Sequence, residues 1–186
     1  MQIIPAILTN NIEEFNNLVM QVSSKYSRVQ VDFIDGEYTN NKSLRVEELE
    51  SIRNYLKIKF DAHLMVVEKN LQEYLKNLDQ FNRIIVQMEG VARPEAYECL
   101  ALDIHSPIEA VKPYLSNLKY LNLMAIEPGF GGQKLDLGIF ERVSYLRKLG
   151  NFMIAVDGGV EKEHLQKLEE LGVDEAVVGA RRLLSW

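Results

Sequence analysis

The sequence predicts an α/β fold, a closed (β/α)8 or TIM barrel whose fourth and C-terminal helices are reduced or absent. Three observations point there. Short β-like runs alternate with helical ones from end to end. About eight such β-like runs can be counted, which favours a closed ring over an open doubly wound sheet. No linker, low-complexity tract or charge run interrupts the alternation, so residues 1–186 read as one domain.

The expected strands are 3–8, 28–34, 59–66, 83–89, 98–104, 120–126, 152–157 and 175–179. Amphipathic stretches lie between them at 12–24, 46–56, 71–81, 108–115, 139–149 and 162–171. Leu71, Tyr74, Leu75 and Leu78 fall at i, i+3, i+4 and i+7, while Gln72, Glu73, Lys76 and Asn77 take the outer face. With 186 residues the chain is short for a fold that usually runs to about 250. The shortage falls in two places: 91–97 separates strands four and five, and 181–186 follows strand eight. The fourth helix is therefore expected as a turn and the last as a stub. Ile84, Val86 and Leu100 would then be exposed, and a second copy covering them makes a homo-oligomer the expectation.

Composition narrows the function classes. With 47% apolar and 26% charged residues, 11 Gly and 5 Pro, the chain is neither disordered nor fibrous. No run approaches the roughly 18 apolar residues of a membrane span, so no membrane is expected. Gln2 and Pro5 interrupt the start, which does not read as a secretory signal. Cys99 is the one cysteine, excluding an intramolecular disulfide and a multi-cysteine metal site; a cytoplasmic location is the default. A net charge of -6 opposes an extended nucleic-acid face. It does not oppose a small anion, which backbone N–H groups can hold without surplus Lys or Arg.

In RVQVDFID, Val29, Val31 and Phe33 alternate with Gln30 and Asp32, so the polar pair should point into the barrel. An inward carboxylate needs a partner, a hydrogen bond or a metal. A structural hydrogen-bond network is the alternative reading. KFDAHLMV repeats the pattern with Asp61 and His63, though a lone His63 is more often a satisfied core histidine. FMIAVDGG ends strand seven at Asp157, in what could equally be a plain Asp-Gly turn. Across an eight-strand ring, strands two and seven bring Asp32 and Asp157 face to face, with His63 beside Asp32. That set suits a divalent metal and proton exchange. EPGFGGQ after strand six contributes Gly129, Gly131 and Gly132, and Gly158, Gly159 and Gly179 follow strands seven and eight. Any one of these loops is weak evidence of an anion site; together they mark one pole of the barrel.

These segments resemble the ribulose-phosphate 3-epimerase family over residues 3 to about 184. IIPAIL, VDFIDG, DAHLMV, MAIEPGFGGQ, VDGG and VVGA appear in order. The resemblance implies a TIM barrel interconverting D-ribulose 5-phosphate and D-xylulose 5-phosphate, a pentose phosphate pathway step. It implies one divalent metal ion (Zn, Fe, Mn or Co), no organic cofactor, and a sugar phosphate as the partner molecule. Asp32 and Asp157 would be the proton-exchanging pair and His63 a metal ligand. Met65 and Met124 would line the pocket, with Gly129, Gly131, Gly132, Gly158, Gly159, Gly179 and Ala180 at the phosphate end.

The chain departs from the family at three polar positions. Gln30 stands where the family has its first metal-binding histidine, Ala6 where a serine is usual, and Gln87 where a strand-four histidine is common. A Gln carbonyl is a poorer donor than imidazole for zinc or iron. An inactive sugar-phosphate-binding barrel, or an epimerase for another ketose phosphate such as allulose 6-phosphate, is therefore the alternative. Of the remaining candidates, His105 reads as structural, His164 as solvated and Cys99 as a small packed hydrophobe. Trp186 reads either as a cap on the barrel bottom or as a partner contact.

Overall fold

In the computed structural model, which describes residues 1–49 and 57–186, eight parallel strands close into a barrel in chain order. They are β1 (Gln2–Ile7), β2 (Arg28–Ile34), β3 (Lys59–Met65), β4 (Arg83–Gln87), β5 (Cys99–Leu102), β6 (Tyr120–Met124), β7 (Met153–Asp157) and β8 (Glu175–Gly179). Each falls within a few residues of its expected run. The helices are α1 (Ile12–Val22), α2 (Glu68–Leu75), α3 (Ile139–Leu146), α4 (Lys162–Glu170) and the stub α5 (Ala180–Leu183).

Period-two patterning builds two apolar layers. Val29, Val31 and Phe33 pack outward with Phe15, Leu18, Val19 and Val22 of α1 in the large cluster between barrel and helices. Ile4, Ala6, Ile85, Ala101, Tyr120, Ala155 and Val177 form a smaller cluster inside the barrel, with half-buried Cys99 against it. Below it, at the N-terminal strand ends, Arg28 grips both Asp61 oxygens at 2.7 and 2.9 Å, and Arg83 grips Glu175 at 2.7 and 3.2 Å. The Arg83 guanidinium also covers the Tyr120 ring at 3.8 Å. This plug accounts for Asp61, the inward acid of strand three.

The reduced helices are where the sequence placed them, with corrections around them. Between β4 and β5 the chain makes 3-10 turns at Met88–Gly90 and Pro94–Ala96. The expected helix at 108–115 is also 3-10, over Ile108–Tyr114; Pro113 lies inside it and supplies no N–H to an α-helical ladder. The second expected helix, 46–56, begins as a 3-10 turn at Val46–Glu48, and its remainder lies mostly outside the described residues. The third starts earlier than read and ends at Leu75, although Leu78 and Phe81 are still buried. The bare apolar patch is not there: Val86 and Leu100 are fully buried and Ile84 half-buried within the chain's own cluster, which includes Val91 and Tyr97. The reason given for a covering subunit therefore falls away.

Two more expectations change. His164 is not simply solvated: its Nδ1 accepts the Glu161 N–H at 3.0 Å, capping α4, and its ring meets Phe140 edge-on. Trp186 packs on the chain's own core and under Lys162, at the C-terminal strand ends rather than the barrel bottom. Among the described residues, no helix is long and apolar enough to cross a membrane.

Candidate active site

At the C-terminal strand ends, the register sets Asp32 beside His63 and Met124 beside Asp157. The strand carrying Asp32 and that carrying Asp157 lie three steps apart around the ring, yet Gln30 joins them. Its Nε2 donates to Asp32 Oδ1 and to Asp157 Oδ2, each at 2.8 Å, and lies 3.4 Å from His63 Nδ1. His63 Nδ1 is 3.4 Å from Asp32 Oδ1 and 3.7 Å from Asp157 Oδ2. His63 is fully buried and Asp157 nearly so, while the Asp32 side chain keeps 13% of its surface exposed.

Electrostatics follow from that crowding. Burial, then the Asp32 charge, pushes the Asp157 carboxyl up to about 6, against the imidazole and the amide hydrogen bonds from Gln30 and Asn122. For His63, burial pulls the imidazole down, but the hydrogen bond and charge of Asp32 and the charge of Asp157 outweigh it and leave the value raised.

Above these groups lies a cavity of about 430 Å³. Its lining contains Asp32, Asp157, Met65, Met124, Gly129, Gly131, Gly132, Gly158, Gly159, Gly179 and Ala180. The fold thus brings these residues to one cavity above Gln30 and His63, while Asp61 lies in the plug at the N-terminal strand ends. The rim has local causes. Gln133 closes its own loop, donating to the Glu127 and Phe130 carbonyls at 2.8 and 2.7 Å and accepting the Glu127 N–H at 3.2 Å. Gly159 has φ +68, and a Cβ there would fall 2.3 Å from the Leu135 nitrogen, so only glycine lets these two loops meet. A strap after β2 joins the same rim, because Asn41 Nδ2 donates to the Gly129 carbonyl at 2.6 Å. His105, on the neighbouring loop, pairs with exposed Glu127.

Three contributors escaped the sequence reading. Asn122, fully buried, donates to Asp157 Oδ2 at 2.7 Å, and among the described residues its Oδ1 has no partner. The signal was present in YLNLM, where one amide alternates with apolar residues. Arg182 lines the cavity while donating to the Gln133 and Val160 carbonyls at 3.3 and 3.5 Å and pairing with Glu161 at 3.1 Å. Arg181 also lines the cavity and is held by Glu14. The dibasic pair directly behind VVGA was the clue.

The donor chemistry fits a divalent cation. Among the described residues, Asp32, His63 and Asp157 form the group whose ligand atoms lie within 4.8 Å of one another. Fold and site together define a TIM-barrel protein with a carboxylate–imidazole centre under a glycine-rich rim. The comparisons sharpen that class: the model of the ribulose-phosphate 3-epimerase family matches residues 2–182, and the chain belongs to that family. It is similar to the ribulose-phosphate 3-epimerase of Bacillus subtilis (strain 168), 23% identical over 96% of this chain and 90% of that protein. It is also similar to that of Helicobacter pylori (strain J99 / ATCC 700824), at 26% over 97% and 89%. Among solved structures, a mutant tryptophan synthase alpha-subunit from Pyrococcus furiosus superposes with a TM-score of 0.74 at 12% identity. That match covers 96% of this chain and 87% of the other, a likeness of fold alone.

Proposed function

We propose that this protein epimerises a ketose phosphate at C3, interconverting D-ribulose 5-phosphate and D-xylulose 5-phosphate. The observation that carries the reading is that Asp32 and Asp157, from strands three steps apart, share one floor beneath the glycine-rimmed cavity. Inverting C3 requires a proton to leave a carbon alpha to the C2 ketone and another to return on the opposite face, so two proton-transfer groups are needed. Asp32 takes the proton in one direction while Asp157 gives one, and the roles exchange in reverse. A carboxyl raised to about 6 suits that task near neutral pH. Gln30 and Asn122 both donate to Asp157 Oδ2 and so fix the orientation of its carboxyl. Met65 and Met124 give the sugar an apolar wall, and the glycine loops with Arg182 face the phosphate.

A divalent ion (Zn, Fe, Mn or Co) would be held by Asp32, His63, Asp157 and the Gln30 carbonyl, and would supply positive charge to the enediolate. The hydrogen leaves as a proton, so no organic cofactor is required. Incubation with ribulose 5-phosphate and a divalent ion should yield xylulose 5-phosphate by NMR. The Gln30 amide resting on both carboxylates favours a second reading, a barrel that binds the sugar phosphate without turning it over. Saturable binding with no product under any of the four ions would select it.

A further inference from the structure

The Gln30 amide nitrogen sits where three ligand atoms converge: 2.8 Å from Asp32 Oδ1, 2.8 Å from Asp157 Oδ2 and 3.4 Å from His63 Nδ1. These are hydrogen-bond distances, and a cation bound at about 2.0–2.2 Å from the same atoms would need the same space. The orientation of the amide is dictated by its partners, because carboxylate oxygens accept and only the NH2 end can donate. The neighbourhood is amide-rich: Asn122 gives Asp157 Oδ2 a second N–H at 2.7 Å, and the fully buried Gln87 meets His63 from the other side at 3.0 Å.

We propose that Gln30 is a built-in occupant of the cation site. In the metal-free protein its NH2 group bridges Asp32 and Asp157 and keeps the two carboxylates assembled. A divalent ion enters by displacing that NH2, after which the turned amide presents Oε1 as a neutral oxygen donor. The inference rests on reading Asp32, His63 and Asp157 as the cation site. It adds that metal binding here is an exchange against an internal ligand, which weakens affinity and makes the metal-free chain stable.

The test uses the full-length, 15N-labelled protein freed of metal by chelation, with zinc alone as the probe. The Gln30 side-chain NH2 resonances are assigned by their loss in Gln30→Met. They should exchange with solvent at least about tenfold more slowly than those of exposed Gln2, and should shift in step with zinc binding followed by calorimetry. Gln30→His, which removes the occupant and adds an imidazole, should bind zinc at least roughly tenfold more tightly. Chelation should lower the melting temperature of that variant more than that of the wild type. Stoichiometric zinc binding that leaves the Gln30 resonances in place would overturn the inference alone, as would Gln30 protons exchanging as fast as those of Gln2. Absence of zinc binding in both wild type and Gln30→His would instead overturn the cation-site reading beneath it.

Discussion

Gln87 Oε1 lies 3.0 Å from His63 Nε2, so the strand-four amide accepts the imidazole N–H and leaves Nδ1 facing Asp32 and Asp157. Gln87 is itself oriented, since its Nε2 donates to Glu89 Oε2 at 3.0 Å. Replacing Gln87 with Leu strands a buried N–H, a loss of about 1–3 kcal/mol. The same change frees the ring from its tautomer and should weaken divalent-ion binding roughly 10–100-fold. Calorimetry with Mn2+ and thermal denaturation measure the two effects. Wild-type affinity in Gln87→Leu would remove Gln87 from this role.

Two glycines separate ligand space from packing. Gly179 has φ -49, and a Cβ built there meets nothing within 4 Å among the described residues, although the residue lines the cavity. Gly179→Ala should leave stability within about 0.5 kcal/mol of wild type. It should raise the KM for the ketose phosphate roughly tenfold by filling ligand space. Gly159→Ala behaves oppositely, driving a Cβ against the Leu135 backbone at positive φ and destabilising by on the order of 1–3 kcal/mol. Equal stability losses in both variants would contradict the assignment of the cavity end.

Asp35 anchors the strap over the site. Its Oδ1 accepts the Glu37 and Tyr38 N–H groups, and its Oδ2 accepts those of Val67 and Asn70, all at 2.8–2.9 Å. Burial raises its carboxyl, but these hydrogen bonds outweigh burial and hold it below the ordinary value. A lowered folded-state value means the stabilisation is complete above the unfolded value of about 4 and fades as pH falls through the folded one. Denaturant unfolding should therefore show Asp35→Asn weaker than wild type at pH 7, with the gap closing toward pH 2. A gap that persists at low pH would refute the charge-based account.

For Asp157 the sign is reversed. Its carboxyl is raised to about 6, so ionisation is disfavoured in the metal-free fold, and any direction of reaction that uses it as a base slows as pH drops through that value. A bound cation favours the ionised form. Carbon-13 titration of the carboxyl, assigned through Asp157→Asn, should give a value near 6 without metal and at least about one unit lower with zinc. An unmoved titration would exclude Asp157 as a ligand.

Strand positions and most residues of the candidate site were legible because their causes are local. Val29, Val31 and Phe33 against Gln30 and Asp32 is a period-two pattern that chooses faces unaided. The same pattern marks Asn122, whose importance shows only when Asp157 of the neighbouring strand arrives beside it. Arg182 is harder to read, since its partners Gln133, Val160 and Glu161 come from two other loops. Coverage of Val86 and Leu100 likewise depends on turns packing from outside their strands. His164 looked solvated among Glu161, Lys162 and Glu163, and its contact with Phe140 belongs to another helix.

The central claim is that Asp32 and Asp157 exchange the C3 proton of a ketose phosphate. Formation of C3-deuterated xylulose 5-phosphate from ribulose 5-phosphate in D2O, followed by proton NMR with added divalent ion, tests it most directly, because inversion needs both carboxylates. Steady formation of that product by the wild-type protein, reduced at least about 100-fold in both Asp32→Asn and Asp157→Asn, is the predicted result. Product formation that persists at the wild-type rate in either variant would contradict it.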